Sequence, residues 1–140
     1  MRAVVIYESL TGHTAKAAEL IGQRLVGAGH SATVCPTTEV DFQAVADADL
    51  VIVGSWTDGL FFFAQKPARS ARLSQLPLLT GKKCFVFCTF ALDPGKTLQK
   101  FTDLMSERGA DVLGGMTIRR NDLEGGSRDF VDRVLDVLVV

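Results

Sequence analysis

The sequence predicts an α/β domain in which a parallel sheet is covered on both faces by helices, and three observations lead to that class. Ala3 to Tyr7, Ala48 to Val53 and Cys84 to Phe90 are short runs rich in apolar residues that do not alternate with polar ones, as strands buried on both faces require. Segments with helical spacing lie between them. The alternation continues along the whole 140-residue chain, and strands alternating with amphipathic helices imply right-handed crossovers and a parallel sheet.

The first strand, Ala3 to Tyr7, leads into a helix whose Ala18, Ile21 and Leu25 share a face; it ends at Gly27-Ala28-Gly29, where glycine takes the left-handed cap. Ser31 to Cys35 reads as a short second strand and Phe42 to Ala46 as a brief helix. After the third strand, Ala48 to Val53, a helix is expected over Pro67 to Leu76, opened by proline at an early position. Cys84 to Phe90 is the fourth strand, and Asp93-Pro94-Gly95 starts a helix that carries Leu98, Phe101, Leu104 and Met105 and stops near Gly109. Asp111 to Ile118 is the fifth strand. Ser127 is the expected N-cap of a last helix with Phe130, Val131, Val134, Leu135 and Leu138 as its apolar stripe. No repeat, linker or low-complexity segment interrupts the pattern, so residues 1–140 read as a single domain.

Composition narrows the function classes. With 47% hydrophobic and 22% charged residues, the chain is neither a disordered tail, a collagen-like rod nor a disulfide-stapled miniprotein. Residues 1–70 carry five basic and seven acidic side chains and residues 71–140 carry ten and nine, for a net charge of −1. Nucleic-acid binding therefore has no electrostatic warrant. The apolar run at the N-terminus turns polar at Glu8 after five residues, too short for a signal-peptide core or a membrane span, so the expected location is the cytoplasm, without membrane insertion. Cys35, Cys84 and Cys88 are odd in number and read as small packing hydrophobes rather than disulfide partners. Together with His13 and His30 they lack metal-ligand spacing.

In an open doubly wound sheet the ligand crevice lies beyond the carboxyl ends of the strands, where strand order reverses. Three loops matter there: Glu8 to Thr14, Ser55 to Lys66, and Thr89 to Gly95. The first reads Ser9-Leu10-Thr11-Gly12-His13-Thr14, three hydroxyls and a glycine running into a helix start. Free backbone N–H groups there carry the positive end of the helix dipole, glycine lets the chain approach an anion, and hydroxyls add donors. The same residue types are also ordinary in a βα turn, so on residue types alone the two readings stand level. Other phosphate chemistries fail on spacing. A Walker loop needs a glycine where Phe90 stands, five residues before Gly95, and no G-x-G-x-x-G occurs. A receiver domain would need an acidic cluster after the first strand, an aspartate after the third and a lysine after the fifth, where this chain has Glu8 alone, Ser55, and Arg119 or Arg120. A low-molecular-weight phosphatase would need an arginine where Pro94 follows Cys88 by six.

The string Ser9-x-Thr11-Gly12-x-Thr14, set between the first strand and the first helix, resembles the phosphate-binding loop of the flavodoxins, and the chain is similar to their short form in element order and length. The resemblance implies a three-layer flavodoxin-like sandwich with a five-stranded parallel sheet of order 2-1-3-4-5, and noncovalently bound FMN. It implies that Ser9, Leu10, Thr11, Gly12, His13 and Thr14 hold the phosphate. Val53 to Gly59 looks like the family's ring-covering loop, which would set Ser55, Trp56, Thr57, Asp58 and Gly59 against the flavin. Trp56, the only tryptophan, offers a π surface that would lower the second reduction potential by disfavouring the anionic reduced flavin; its alternative is to cap the sheet. Asp58-Gly59 offers the backbone flip that, in the family, sets a carbonyl against the protonated flavin N5. Thr89, Phe90 and Ala91 would meet the other edge of the ring.

Three departures qualify the likeness. The only tyrosine is Tyr7, so Phe90, in a third loop that is shorter and more apolar than usual, stands in for the aromatic that family members often carry there; packing into the core is its alternative. His13 occupies a position where asparagine is common, which keeps a phosphate donor and would make binding pH-dependent near the free histidine pKa of about 6.5, unless it faces solvent. Flavodoxins that serve basic partners are usually strongly acidic, whereas this chain is near neutral with Lys66, Arg69 and Arg72 after the second loop.

The resemblance thus implies single-electron transfer between redox partner proteins, with no side chain nominated as acid or base. Phe61-Phe62-Phe63 cannot all enter one core, so they are expected to pack under the third helix or to form an apolar contact for a partner. Two other readings stay open: an FMN-dependent reductase or oxidase of a small hydrophobic substrate, and a cofactor-free flavodoxin-fold interaction domain.

Overall fold

A computed structural model describes residues 1–9, 12–58, 66–67 and 79–138. The elements are β1 (Arg2–Tyr7), α1 (His13–Gly27), β2 (Ser31–Pro36), a 3-10 turn (Thr37–Glu39), α2 (Phe42–Asp47), β3 (Leu50–Asp58) and the two-residue β4 (Lys66–Pro67). Then follow β5 (Lys83–Phe90), α3 (Thr97–Glu107), β6 (Asp111–Arg119) and α4 (Leu123–Leu138). The sheet order is β2-β1-β3-β5-β6 with every neighbouring pair parallel; β4 alone runs antiparallel, beside β3. Leaving β4 aside, this is the 2-1-3-4-5 order the resemblance implied.

The continuous apolar runs follow from burial on two sides. Val4, Ile6, Val51, Val53, Val86 and Cys88 point to one face, under Phe101 and Met105 of α3. Val5, Ile52, Phe85 and Phe87 point to the other, under Ile21 and Leu25 of α1 and Phe130 and Val134 of α4. Phe130 meets Phe85 and Phe87 edge-on, with ring centroids 6.4 and 5.6 Å away, the geometry aromatic quadrupoles favour. The three cysteines are free and buried. Burial pushes the Cys84 thiol up to about 12 and raises that of Cys88 as well, so both behave as apolar packing groups at neutral pH.

Several boundaries differ from the sequence expectation: α3 begins at Thr97, after rather than at Asp93-Pro94-Gly95, and β3 begins at Leu50 rather than Ala48. Strand β3 continues to Asp58, so Ser55, Trp56, Thr57 and Asp58 are strand rather than loop: Ser55 and Trp56 pair with Cys88 and Thr89 of β5, while Thr57 and Asp58 pair with β4. Pro67 lies in β4 instead of opening a helix; the rest of the helix expected to Leu76 falls outside the described residues. The last helix starts at Leu123, four residues before the expected cap. Asp122 accepts the Gly125 N–H through its side chain at 3.1 Å, and Ser127 is a fully buried position inside the helix. The Gly125-Gly126 pair looks like a breaker but is required by packing, since a Cβ on Gly126 would stand 2.5 Å from Ile118 Cγ2.

Candidate functional site at the carboxyl ends of the strands

The strand order reverses between β1 and β3, and the chain leaves β1 there. The Glu8 N–H donates to the Gly54 carbonyl at 2.9 Å, which extends the strand pairing to the first residue of the loop. Leu10 and Thr11 lie outside the described residues. Gly12 is the N-cap of α1 with φ +94°, a conformation that costs any other residue. Among the described residues no side chain caps the helix by a hydrogen bond, and its first turn holds no acidic residue to offset the positive end of its own dipole. Among the described residues nothing lies within 4 Å of the Cβ position at Gly12, and its own N–H donates to Ser9 Oγ at 3.2 Å. His13, the first residue of α1, is half-buried.

Thr14, in the first turn of α1, is 1% exposed, and its Oγ1 lies 2.8 Å from Oγ1 of Thr89 at the end of β5. The Thr57 hydroxyl donates to the Thr89 carbonyl at 3.3 Å. One residue from each of the three expected loops is therefore joined in a single buried threonine cluster. Ser55 is fully buried and Trp56, opposite Thr89 in the sheet register, is half-buried. Asp58 ends β3; Gly59 and Phe61, Phe62 and Phe63 lie outside the described residues.

In the third loop, Phe90 is half-buried with the Arg119 guanidinium 5.0 Å from its ring centroid, and the Phe90 carbonyl accepts the Arg120 N–H at 2.9 Å. That cation–π contact occupies one face of the ring, so Phe90 is tied to the end of β6. Ala91 is half-buried. Leu92, absent from the sequence expectation, is 77% exposed, held out by the turn in which Asp93 Oδ1 accepts the Gly95 N–H at 2.9 Å. A large aliphatic residue directly before Asp-Pro-Gly is the signal for it.

The sequence shows Glu8 only as a lone acidic residue. It is 3% exposed and accepts a hydrogen bond from the Thr37 hydroxyl, which satisfies one oxygen of a buried carboxylate. The acidic residue directly after an apolar strand is visible in the sequence; its partner, 29 residues away, is not.

The donor set suits a phosphate monoester: a helix N-terminus with no acidic residue in its first turn, and a serine and a threonine hydroxyl beside it. Among the described residues no helix is long and apolar enough to cross a membrane.

Comparison with known proteins agrees with this geometry. Residues 4–118 match the family model described as a flavodoxin domain. A flavodoxin of Clostridium beijerinckii is 23% identical over 128 residues, 91% of this chain and 93% of that protein. Among solved structures, a mutant of the flavodoxin from Pseudomonas aeruginosa superposes with a TM-score of 0.75 over 99% of both chains at 18% identity. Oxidised flavodoxin 1 from Bacillus cereus gives 0.71 over 99% of this chain and 100% of that one at 22% identity. These structural likenesses speak for the fold, while the family match spans most of the sequence and places the chain in the flavodoxin family, whose cofactor is FMN.

Proposed function

We propose that this protein holds FMN noncovalently and carries single electrons between redox partner proteins in the cytoplasm, where its three buried thiols stay reduced. The observation that carries the reading is the start of α1: a left-handed glycine cap, no acidic residue in the first turn and a buried threonine hydroxyl within it. The N–H groups of that turn, with Ser9, Thr11 and Thr14, bind the phosphate and are assisted by the helix dipole. Trp56 and Leu92 give the ring apolar walls that exclude water and disfavour negative charge on it. Asp58 and Gly59 supply main-chain groups to one ring edge, and Phe90 and Ala91 to the other. The isoalloxazine supplies the redox chemistry when bound. No side chain has to take or give a proton, which suits a carrier rather than a substrate-specific oxidoreductase.

The test is direct. Protein mixed with FMN and freed of excess by gel filtration should retain the visible flavin band with its tryptophan fluorescence quenched. Replacement of Thr11 and Thr14 by alanine should weaken FMN binding while leaving riboflavin, which lacks the phosphate, unaffected. A folded but colourless protein would refute the reading in favour of a cofactor-free interaction domain, and turnover of a small apolar substrate would move it to the reductases.

A further inference from the structure

We infer that Thr89 is a positioning residue for the anion site, acting through Thr14. The inference rests on the FMN reading, because it needs a phosphate at the start of α1. Thr89 is 2% exposed and fixed from two sides: it pairs with Trp56 of β3, whose neighbour Thr57 donates its hydroxyl to the Thr89 carbonyl at 3.3 Å, and with Ile118 of β6. Its own hydroxyl lies 2.8 Å from that of Thr14. The Thr14 hydroxyl has no other partner among the described residues, and neither does that of Thr89.

A threonine hydroxyl has one proton and two acceptor sites. The contact between the two threonines can run in either sense, and the senses differ in what they leave for a ligand. If Thr14 donates to Thr89, its proton is spent and only lone pairs remain, which repel an anion. If Thr89 donates to Thr14, the Thr14 proton stays free among the N–H groups of the first helical turn. An anion there selects the second arrangement, and each bond in such a chain polarises the next. Thr89 thus holds Thr14 as a donor, although it does not touch the phosphate. Because Thr57 grips the Thr89 carbonyl, the backbone that carries the Thr89 hydroxyl is held in place by β3 and β5 together.

The experiment measures dissociation constants of the full-length protein for FMN and for riboflavin, by flavin fluorescence quenching, in the wild type and in Thr89→Val, Thr89→Ser and Thr14→Val. Thr89→Val should weaken FMN binding about threefold to tenfold, the worth of one ordinary hydrogen bond, with riboflavin binding unchanged. Thr89→Ser, which keeps the hydroxyl, should restore the ratio of FMN affinity to riboflavin affinity (the reciprocals of the dissociation constants). Thr14→Val should lower that ratio at least as far as Thr89→Val does. A merely structural role would weaken both ligands alike, so equal losses would overturn the inference. A ratio lowered by Thr14→Val but untouched by Thr89→Val would also overturn it and leave the FMN reading standing. Ratios unchanged in both variants would remove Thr14 from the phosphate site as well, and a wild type that binds neither flavin would sink the inference and the FMN reading together. Thr89→Ala carries the same expectation where the valine variant does not fold.

Discussion

At position 54 the packing leaves no room for a single methyl group. A Cβ there would stand 2.0 Å from Phe87 Cζ, because the Phe87 ring lies directly over the Gly54 backbone. Gly54→Ala must push that ring off its place beside Phe130, and overpacking of this kind costs about 1–3 kcal/mol; urea unfolding would read it as a lowered midpoint. Gly27→Ala is the control. It lies in the last turn of α1 with nothing within 4 Å of its Cβ position, so the substitution should be neutral or stabilise by up to about 1 kcal/mol through the unfolded chain. Trp56 tests the ring side of the site at the same scale. Trp56→Ala should weaken FMN and riboflavin by a similar factor if, as proposed, the indole meets the ring and not the phosphate; equal affinities in variant and wild type would leave it a packing residue of the sheet.

At the scale of elements, the turn before β3 shows how a short loop fixes two strands. The Arg2 N–H donates to Asp49 Oδ2 and the Asp49 N–H to the Arg2 carbonyl, both at 2.8 Å. The hydrogen bond from the Arg2 backbone holds the Asp49 carboxyl below its ordinary value. A carboxylate whose folded pKa is depressed adds stability above its unfolded pKa of about 3.9 and loses it as pH falls through the folded value. Asp49→Ala should therefore unfold at a lower temperature than wild type at pH 7, and the gap should narrow below about pH 4; a gap independent of pH would assign the effect to packing. The same scale shows what the sequence carries and what it does not. Strand interiors are legible because burial on both faces leaves a local mark, an unbroken apolar run. Their ends are not: Ser55 to Asp58 are mostly polar and become strand only because β5 and β4 pair with them. The start of α4 is hidden for a similar reason, since what requires Gly126 is contact with Ile118 of β6 and not any local preference. In the site, the hydroxyl-rich string before α1 is readable because helix starts are local, whereas the Thr14–Thr89 contact joins residues 75 apart.

For the whole molecule, the consequence of this architecture is that the ligand and the fold are one equilibrium. The proposed contacts to FMN come from α1, from the end of β3 and from the end of β5, so a bound flavin would bridge elements that unfolding separates. A ligand that binds only the folded state stabilises it by an amount set by its concentration relative to Kd, about 2.7 kcal/mol at a hundredfold excess. For a domain of this size that corresponds to a rise in Tm of roughly 5–13 °C. Calorimetry with FMN at one hundred times its measured Kd should show that shift, and riboflavin at the same concentration should give a smaller one, because it leaves the start of α1 unfilled. Inorganic phosphate alone should shift Tm least, as it engages only the α1 end of the site. An equal rise with FMN and riboflavin would mean that the ring loops carry the affinity and that the helix start does not act as an anion site.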